Sequence, residues 1–507
     1  METLGPIADP VAAALDDLAD RRAVERLWNR DHTLFQDDPT EVADRLGWLD
    51  VAADMAAHED RLRTFAEALV ADDVEHVVVM GMGGSSLFPE VLARSFAPVA
   101  GHPELRVLDT TDPAAVARLT HECPPDDSVF VASSKSGGTI ETLSHLAVIL
   151  DHTGDPGRVV VVTDPGSSLA ERAATERFRA LFENPADIGG RYSALSFFGL
   201  VPAAAAGLDV GALLASATGA TPALREPDPV VNAGLALGAV MAGGVRAGRD
   251  KLTLVVDGEI DTFALWIEQL VAESTGKAGT GVVPIAGERL GPPDVYGDDR
   301  VFVGIGEHHG LDPLAAAGHP VFSLPSSGTT TLGEQVLIWE VATALCGAAL
   351  GINPFDQPNV AEAKAATNDV LARGPGEVER VTVASLLDGV GPGDYVAIQA
   401  YVDPEDGVVD AIEDARTEIR DRLRVATTVG LGPRFLHSTG QLHKGGPATG
   451  VFLQVVGDDP ADVAIPGRDF GFSALKHAQA EGDLRTLRAH GLRAGRVALD
   501  DLLAVAR

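Results

Sequence analysis

Ser133-Ser134-Lys135-Ser136-Gly137-Gly138-Thr139-Ile140-Glu141-Thr142 follows an apolar, strand-like run, Val129-Phe130-Val131, and leads into a helix-like one. The pattern predicts a phosphate cradle. Small residues let the backbone approach a dianion, the hydroxyls of Ser134, Ser136 and Thr139 can donate to its oxygens, and the helix aims its first N–H groups at the same point. Standing alone, the stretch also reads as an ordinary Gly/Ser-rich turn. Upstream, Val77-Val78-Val79-Met80 runs into Gly81-Met82-Gly83-Gly84-Ser85-Ser86-Leu87, a second strand, glycine turn and helix start. Two such loops at the ends of parallel strands would lie at neighbouring carboxyl ends of one sheet and share a ligand, for which a sugar phosphate is the natural candidate.

Three further segments belong beside them: Gly189-Gly190-Arg191-Tyr192-Ser193, Glu273-Ser274-Thr275-Gly276-Lys277, and Asn353-Pro354-Phe355-Asp356-Gln357-Pro358-Asn359-Val360 running on to Lys364. With the two loops, they resemble the motifs of the phosphoglucose isomerases, in that family's order. A later segment, Gly432-Pro433-Arg434-Phe435-Leu436-His437-Ser438-Thr439-Gly440-Gln441-Leu442-His443-Lys444-Gly445-Gly446, is similar to the isomerase half of transaldolase–phosphoglucose isomerase fusions and to their free-standing relatives.

The chain has 507 residues, which favours two or three domains and is too short for a transaldolase barrel beside this isomerase unit. At 45% hydrophobic and 22% charged residues it reads as globular. The net charge of −35 argues against nucleic acid and anionic membranes as partners. It also requires any phosphate site to be locally cationic or rich in N–H donors, so Lys135, Lys277, Lys364 and Lys444 stand out inside the motifs. Two cysteines, Cys123 and Cys346, read as free thiols. The N-terminus lacks the pattern of a secretion signal, and the apolar stretch near 341–350 is too short to span a bilayer, so a cytoplasmic location is expected.

Helical spacing over 1–70 predicts several helices packed on the first sheet. Between 74 and 207, apolar runs at 77–80, 106–108, 129–132 and 159–163 alternate with helical stretches, the pattern of a parallel sheet covered on both faces. Glu226-Pro227-Asp228-Pro229 marks a break, beyond which 252–256 and 301–305 read as strands of a second unit. After Arg373-Gly374-Pro375-Gly376, strand-like runs at 395–401, 425–429 and 451–456 flank a charged helix at 407–423. The expected fold is α/β: an N-terminal helical segment (1–70), two doubly wound sugar-isomerase (SIS) domains (71–228 and 229–375) and a C-terminal α/β unit (376–507).

An aldose–ketose interconversion needs a base that moves a proton between C1 and C2, a cation for the enediolate, and a group that opens the ring. Glu273, at the end of an apolar helix, suits the first task if burial raises its pKa. The resemblance implies the same role for it. It implies also that Arg191 stabilises the enediolate, that Lys364 lies near the ring oxygen, and that Gly83, Gly84, Ser85, Ser134, Lys135, Ser136, Thr139, Gln357 and His443 bind substrate. Gly138 replaces a frequent threonine, Asn359 a usual glycine, and Glu362-Ala363 before Lys364 is a mild departure.

The ring-opening histidine is out of order. In the family it precedes the Phe-Asp-Gln motif, where only His308, His309 and His319 occur here, without the expected surroundings. His437 matches the catalytic position in the later segment and is taken as catalytic, with His443 the alternative; this requires the third α/β unit to have moved in sequence while keeping its place in space. A metal site at His437 and His443 finds no further ligand at suitable spacing. The resemblance implies interconversion of glucose 6-phosphate and fructose 6-phosphate in glycolysis and gluconeogenesis, without metal or organic cofactor, in a family that is typically dimeric. Activity on mannose 6-phosphate as well, or a non-catalytic SIS regulatory module, are the alternatives.

Overall fold

The computed structural model describes residues 3–256, 258–307, 309–374, 376–404 and 407–506; His308 lies outside them. Among the described residues three parallel sheets form. The first has β1 (His76–Met80), β2 (Glu104–Leu108), β3 (Ser128–Ser133), β4 (Val159–Thr163) and β5 (Ala180–Glu183) in the order β2-β1-β3-β4-β5. The second has β6 (Lys251–Val256), β7 (Val283–Ile285), β8 (Arg300–Ile305) and β9 (Val321–Leu324), ordered β7-β6-β8-β9. The third has β10 (Tyr395–Tyr401), β11 (Ala426–Leu431), β12 (Gly450–Val456) and β13 (Arg493–Arg496), ordered β11-β10-β12-β13.

The central strands are runs such as Val-Val-Val-Val-Thr in β4 and Ser-Val-Phe-Val-Ala-Ser in β3, every residue of which is buried. Strands covered on both faces need no polar alternation, which is why these segments read as unbroken apolar runs. The three sheets share one topology, in which the chain reverses direction between the first and third strands of each. A crevice opens at that reversal, beyond the carboxyl ends of the strands. In the first sheet β1 and β3 are neighbours, with Met80 opposite Ala132, so the loops 81–86 and 133–139 emerge side by side.

The expectation that 1–70 packs on the first sheet holds for only part of it. The helix Glu59–Ala71 buries Leu62, Phe65 and Leu69, and the Phe65 ring meets Phe182 of β5 at 5.3 Å. The helix Ala8–Asp20 instead lies on Ala233–Arg246 in the layer of the second sheet, and Thr3 pairs antiparallel with Val321 of β9. Its apolar stripe of Val11, Ala14 and Leu18 finds a glycine face there: a Cβ built on Gly243 would lie 2.9 Å from Val11 Cα. The helix Leu332–Leu350 is buried along nearly its whole length between Val210–Leu224 and Ala233–Arg246. Among the described residues no helix is long and apolar enough to cross a membrane.

The third sheet docks on the other two through buried charges. Toward the first, Arg434 grips Asp109 at 2.7 and 2.8 Å, and Lys476 Nζ donates to Asp112 Oδ2 at 2.9 Å and also to Asp459. Toward the second, Arg416 Nη2 donates at 2.8 Å to both Ala286 O and Thr427 O. Removing one partner of a buried pair leaves the other charged and unpaired, at a cost of about 3–5 kcal/mol. Lys476, with no exposed surface, is such a partner for two aspartates. Lys476→Met is therefore expected to lower stability by about that amount in urea denaturation; a loss below about 1 kcal/mol would mean that this pairing does not hold the third unit in place.

Candidate active site

The helix Ile140–Thr153 begins at Thr139, whose side chain makes no capping bond to the helix; its hydroxyl lies 2.9 Å from Ser134 Oγ. The cap residue thus makes no claim on the first N–H groups of that helix, the condition for holding an anion, although the Glu141 N–H is drawn toward its own carboxylate. Gly137, at φ +68°, makes the preceding turn, where a Cβ would press on Ser167 and Leu169. Ser136 Oγ accepts from Gly138 N at 3.3 Å. Lys135 turns away from this point: its Nζ is paired with Asp164 and donates to Ala186 O. Its cation is committed to a carboxylate that follows β4.

Beside this loop lies a cavity of about 300 Å³ lined by Thr139, Glu141, Lys364, His437, Arg468 and Gln479, among others. His437 ends the short turn Arg434–His437 after β11, and its Nε2 lies 2.9 Å from Glu141 Oε1. Burial pushes the Glu141 carboxyl up, but His437, as partner and as nearby charge, more than offsets this and holds it below the usual range. Lys364 is exposed on the helix Val360–Arg373. Of the four lysines in the motifs it alone has no ion-pair partner among the described residues, since Lys277 pairs with Asp356 and Lys444 with Asp483.

Glu273 is on the helix Phe263–Thr275 and does not line that cavity. Its carboxylate is 3.6 Å from Arg191, and both side chains are almost wholly buried. Gln357 Nε2 donates to Glu273 Oε2 at 3.1 Å and Gln269 Nε2 approaches the same oxygen at 3.4 Å. Burial pushes Glu273 up to about 7, against the pull of Arg191, His437, Lys277 and Gln269. Arg191 is fixed by Ser274 Oγ at 2.8 Å and Pro354 O at 2.5 Å. Burial, followed by Arg191, brings the Lys277 ammonium down to about 7.

The two groups are joined by Gln269, which also donates to His437 O at 2.9 Å. Gly83 and Gly84 make this approach feasible. A Cβ on Gly83, at φ +56°, would fall 2.4 Å from His437 O, and one on Gly84 only 2.0 Å from Gly190 O. The loop expected to cradle a ligand is pressed against the backbones that carry His437 and Arg191, with Ser85 buried behind them. His443 is elsewhere: it is buried beside Phe435 and Phe452, with Nδ1 3.4 Å from Gln399 Nε2, and burial followed by Lys444 drives its pKa well down. His319 lies 3.2 Å from Pro293 O and against Tyr296.

Glu141, Gln269 and Gln479 carry no role in the sequence reading. Gln269 had a signal, since a residue four before Glu273 shares its helix face. Glu141 stood inside the decisive motif, but its partner lies 296 positions away. Gln479 had no local signal.

An uncapped helix N-terminus at the reversal point of a doubly wound sheet, a histidine–carboxylate pair and a buried carboxylate beside an arginine are the parts from which an enzyme that moves protons on an anionic substrate can be built. Residues 18–287 match the profile of the phosphoglucose isomerase family, more than half of the chain, and the chain belongs to that family. It is 32% identical over 373 residues to the glucose-6-phosphate isomerase of Rubrobacter xylanophilus, covering 61% of this chain and 85% of the relative. A glucose-6-phosphate isomerase of Thermus thermophilus is 30% identical over 393 residues, 66% of this chain and 91% of the relative. Among solved structures, a hypothetical protein of Thermus thermophilus aligns with TM-score 0.62 and 27% identity over 73% of this chain and all of that one. A glucose-6-phosphate isomerase from Chlamydia trachomatis shares the fold at TM-score 0.59 and 18% identity, over 72% of this chain and 86% of that one.

Two outcomes are expected. With Glu273 as the base, kcat/KM is expected to rise with pH through about 7, where its carboxyl ionises. Arg191→Gln removes a charge that favours the ionised form and should move that limb to higher pH; a limb that stays in place would separate it from Glu273. Inorganic phosphate should compete with substrate, and Ser134→Ala with Thr139→Ala should weaken that inhibition about tenfold or more. Unchanged inhibition constants would place the anion elsewhere.

Proposed function

We propose that this chain interconverts glucose 6-phosphate and fructose 6-phosphate through a cis-enediol, a reaction of glycolysis and gluconeogenesis. The observation that carries this reading is the joining of His437–Glu141 and Glu273–Arg191 through Gln269 beside the uncapped helix at Thr139. The phosphate takes the N–H groups that follow Thr139 and the hydroxyls of Ser134 and Thr139.

Glu141 occupies Nε2 of His437, which leaves Nδ1 to face the sugar. As imidazolium, His437 passes a proton to the ring oxygen while the C1–O bond breaks and the anomeric hydroxyl gives up its proton, with Lys364 on the same cavity wall. Glu273 then removes the C2 proton of the aldose and returns it to C1. The Arg191 guanidinium carries the negative charge that develops on the enediolate oxygen, in a site dry enough for that charge to count.

The working division of the chain is 1–70, 71–228, 229–375 and 376–507, supported by one sheet in each of the last three ranges. The likeness of 432–446 to the isomerase half of transaldolase fusions supports kinship with that branch of the family. A cytoplasmic homodimer is the working assignment for location and assembly.

Glu273→Gln keeps the shape of the side chain and removes the base. Exchange of the substrate C2 proton with solvent should fall about 100- to 10,000-fold while substrate still binds. A loss of less than tenfold would sink the assignment of Glu273.

A further inference from the structure

The helix Phe472–Ala489 of the third unit crosses the turn 109–112 that follows β2. Gln479 stands at the crossing, 2% exposed. Its Nε2 donates to Glu141 Oε1 at 2.6 Å, the oxygen that also lies 2.9 Å from His437 Nε2. Its Oε1 accepts from Thr111 Oγ1 at 2.8 Å. An ionised carboxylate can only accept, so the amide must present its nitrogen to Glu141, and the oxygen then requires a donor. Thr111 supplies it. One turn earlier, Lys476 reaches Asp112 from the same helix.

We propose that Gln479 is a positioning residue for the reaction: with Thr111 behind it, it holds Glu141 in the orientation and charge state that aim His437 at the substrate. This rests on the reading of His437 as the ring-opening group. Glu141 is buried, and burial alone would favour its neutral form, which would donate to His437 instead of accepting from it. Two donors on one oxygen oppose that outcome.

The other charged or titratable groups around the pair do not replace Gln479. His145, on the same helix as Glu141, is engaged at Thr110 O and brought down to about 4 by burial. Tyr401 of β10 is kept neutral by burial, and Asp109 is committed to Arg434. Glu273 faces His437 through Gln269. Lys364 and Arg468 face the cavity.

Gln479→Leu preserves bulk and deletes both hydrogen bonds. Turnover of the cyclic sugar phosphate should fall about 10- to 100-fold, the worth of a hydrogen bond to a charged group. The titration limb of the Glu141 carboxyl, followed by NMR and not by the kcat/KM limb assigned to Glu273, should move to higher pH, because a carboxylate that loses a donor holds its proton longer. Proton exchange on an open-chain analogue should change less than about twofold, since that step uses Glu273. Thr111→Val, which leaves Gln479 in place but frees its amide, should move the same limb in the same direction by less. Equal losses on cyclic and open-chain substrates with a fixed limb would make Gln479 merely structural and overturn the proposal. If Gln479→Leu does not fold, Thr111→Val decides: a fixed limb overturns the proposal, a shifted one supports it. His437→Ala separates this inference from its parent. If that variant keeps turning over the cyclic substrate, the ring-opening assignment falls and takes Gln479 with it. If it loses that turnover while Gln479→Leu and Thr111→Val leave the limb in place, only the inference about Gln479 falls.

Discussion

A carboxylate buried in the first unit, Glu141, can stay ionised only if donors reach it, and they come from the third unit: His437 from the turn after β11 and Gln479 from the helix Phe472–Ala489. Desolvation of an unpaired charge costs several kcal/mol, so Glu141 and the third unit's docking surface are bound to each other energetically. The residues 109, 111 and 112 extend the same contact through Arg434, Gln479 and Lys476. One interface thereby both attaches the unit and builds half of the site. The other half, Glu273 with Arg191, lies in the seam between the first two units, and Gln269 spans the gap with one amide.

The charge of the chain bears on how a phosphate is held. With 74 acidic and 39 basic residues, a free cation near the surface soon finds a carboxylate. Lys135, Lys277 and Lys444 have each done so. What remains for a dianion is largely neutral: the N–H groups of an uncapped helix start and two hydroxyls, with Lys364 and Arg468 at the cavity wall. Backbone donors are fixed in direction by the helix and cannot swing away toward a distant aspartate as a flexible lysine can, so they suit an acidic protein wherever the cap residue is not itself an acid.

Much of this was legible in the sequence because its causes are local. Buried parallel strands leave continuous valine runs, and glycine turns betray close approach wherever they occur, so the first two sheets and both loops could be placed. What the glycines approach could not be read: Gly83 and Gly84 bear on His437 and Gly190, not on open space. Lys135 looked like a phosphate ligand because its partner Asp164 is on another strand's loop. His443 shared a segment with His437, yet one faces the cavity and the other packs among rings. The short turn and helix between them point the two in different directions, a distinction set by tertiary packing. The helix Ala8–Asp20 was assigned to the wrong layer because an amphipathic stripe states that it will be buried and not against what.

The place of the third unit in the chain follows from how it is attached. Its four strands pair only with one another, so among the described residues it lends no strand to the other sheets and borrows none. Strand addition would fix its register and the direction in which the chain enters. Side-chain docking fixes neither. Arg434 on Asp109, Lys476 on Asp112 and Arg416 on Ala286 O specify where the unit sits, whatever the route of the connecting segments. A histidine that reads as out of order in the sequence can therefore stand against Glu141, provided that the surface it comes with is the one that those charges recognise.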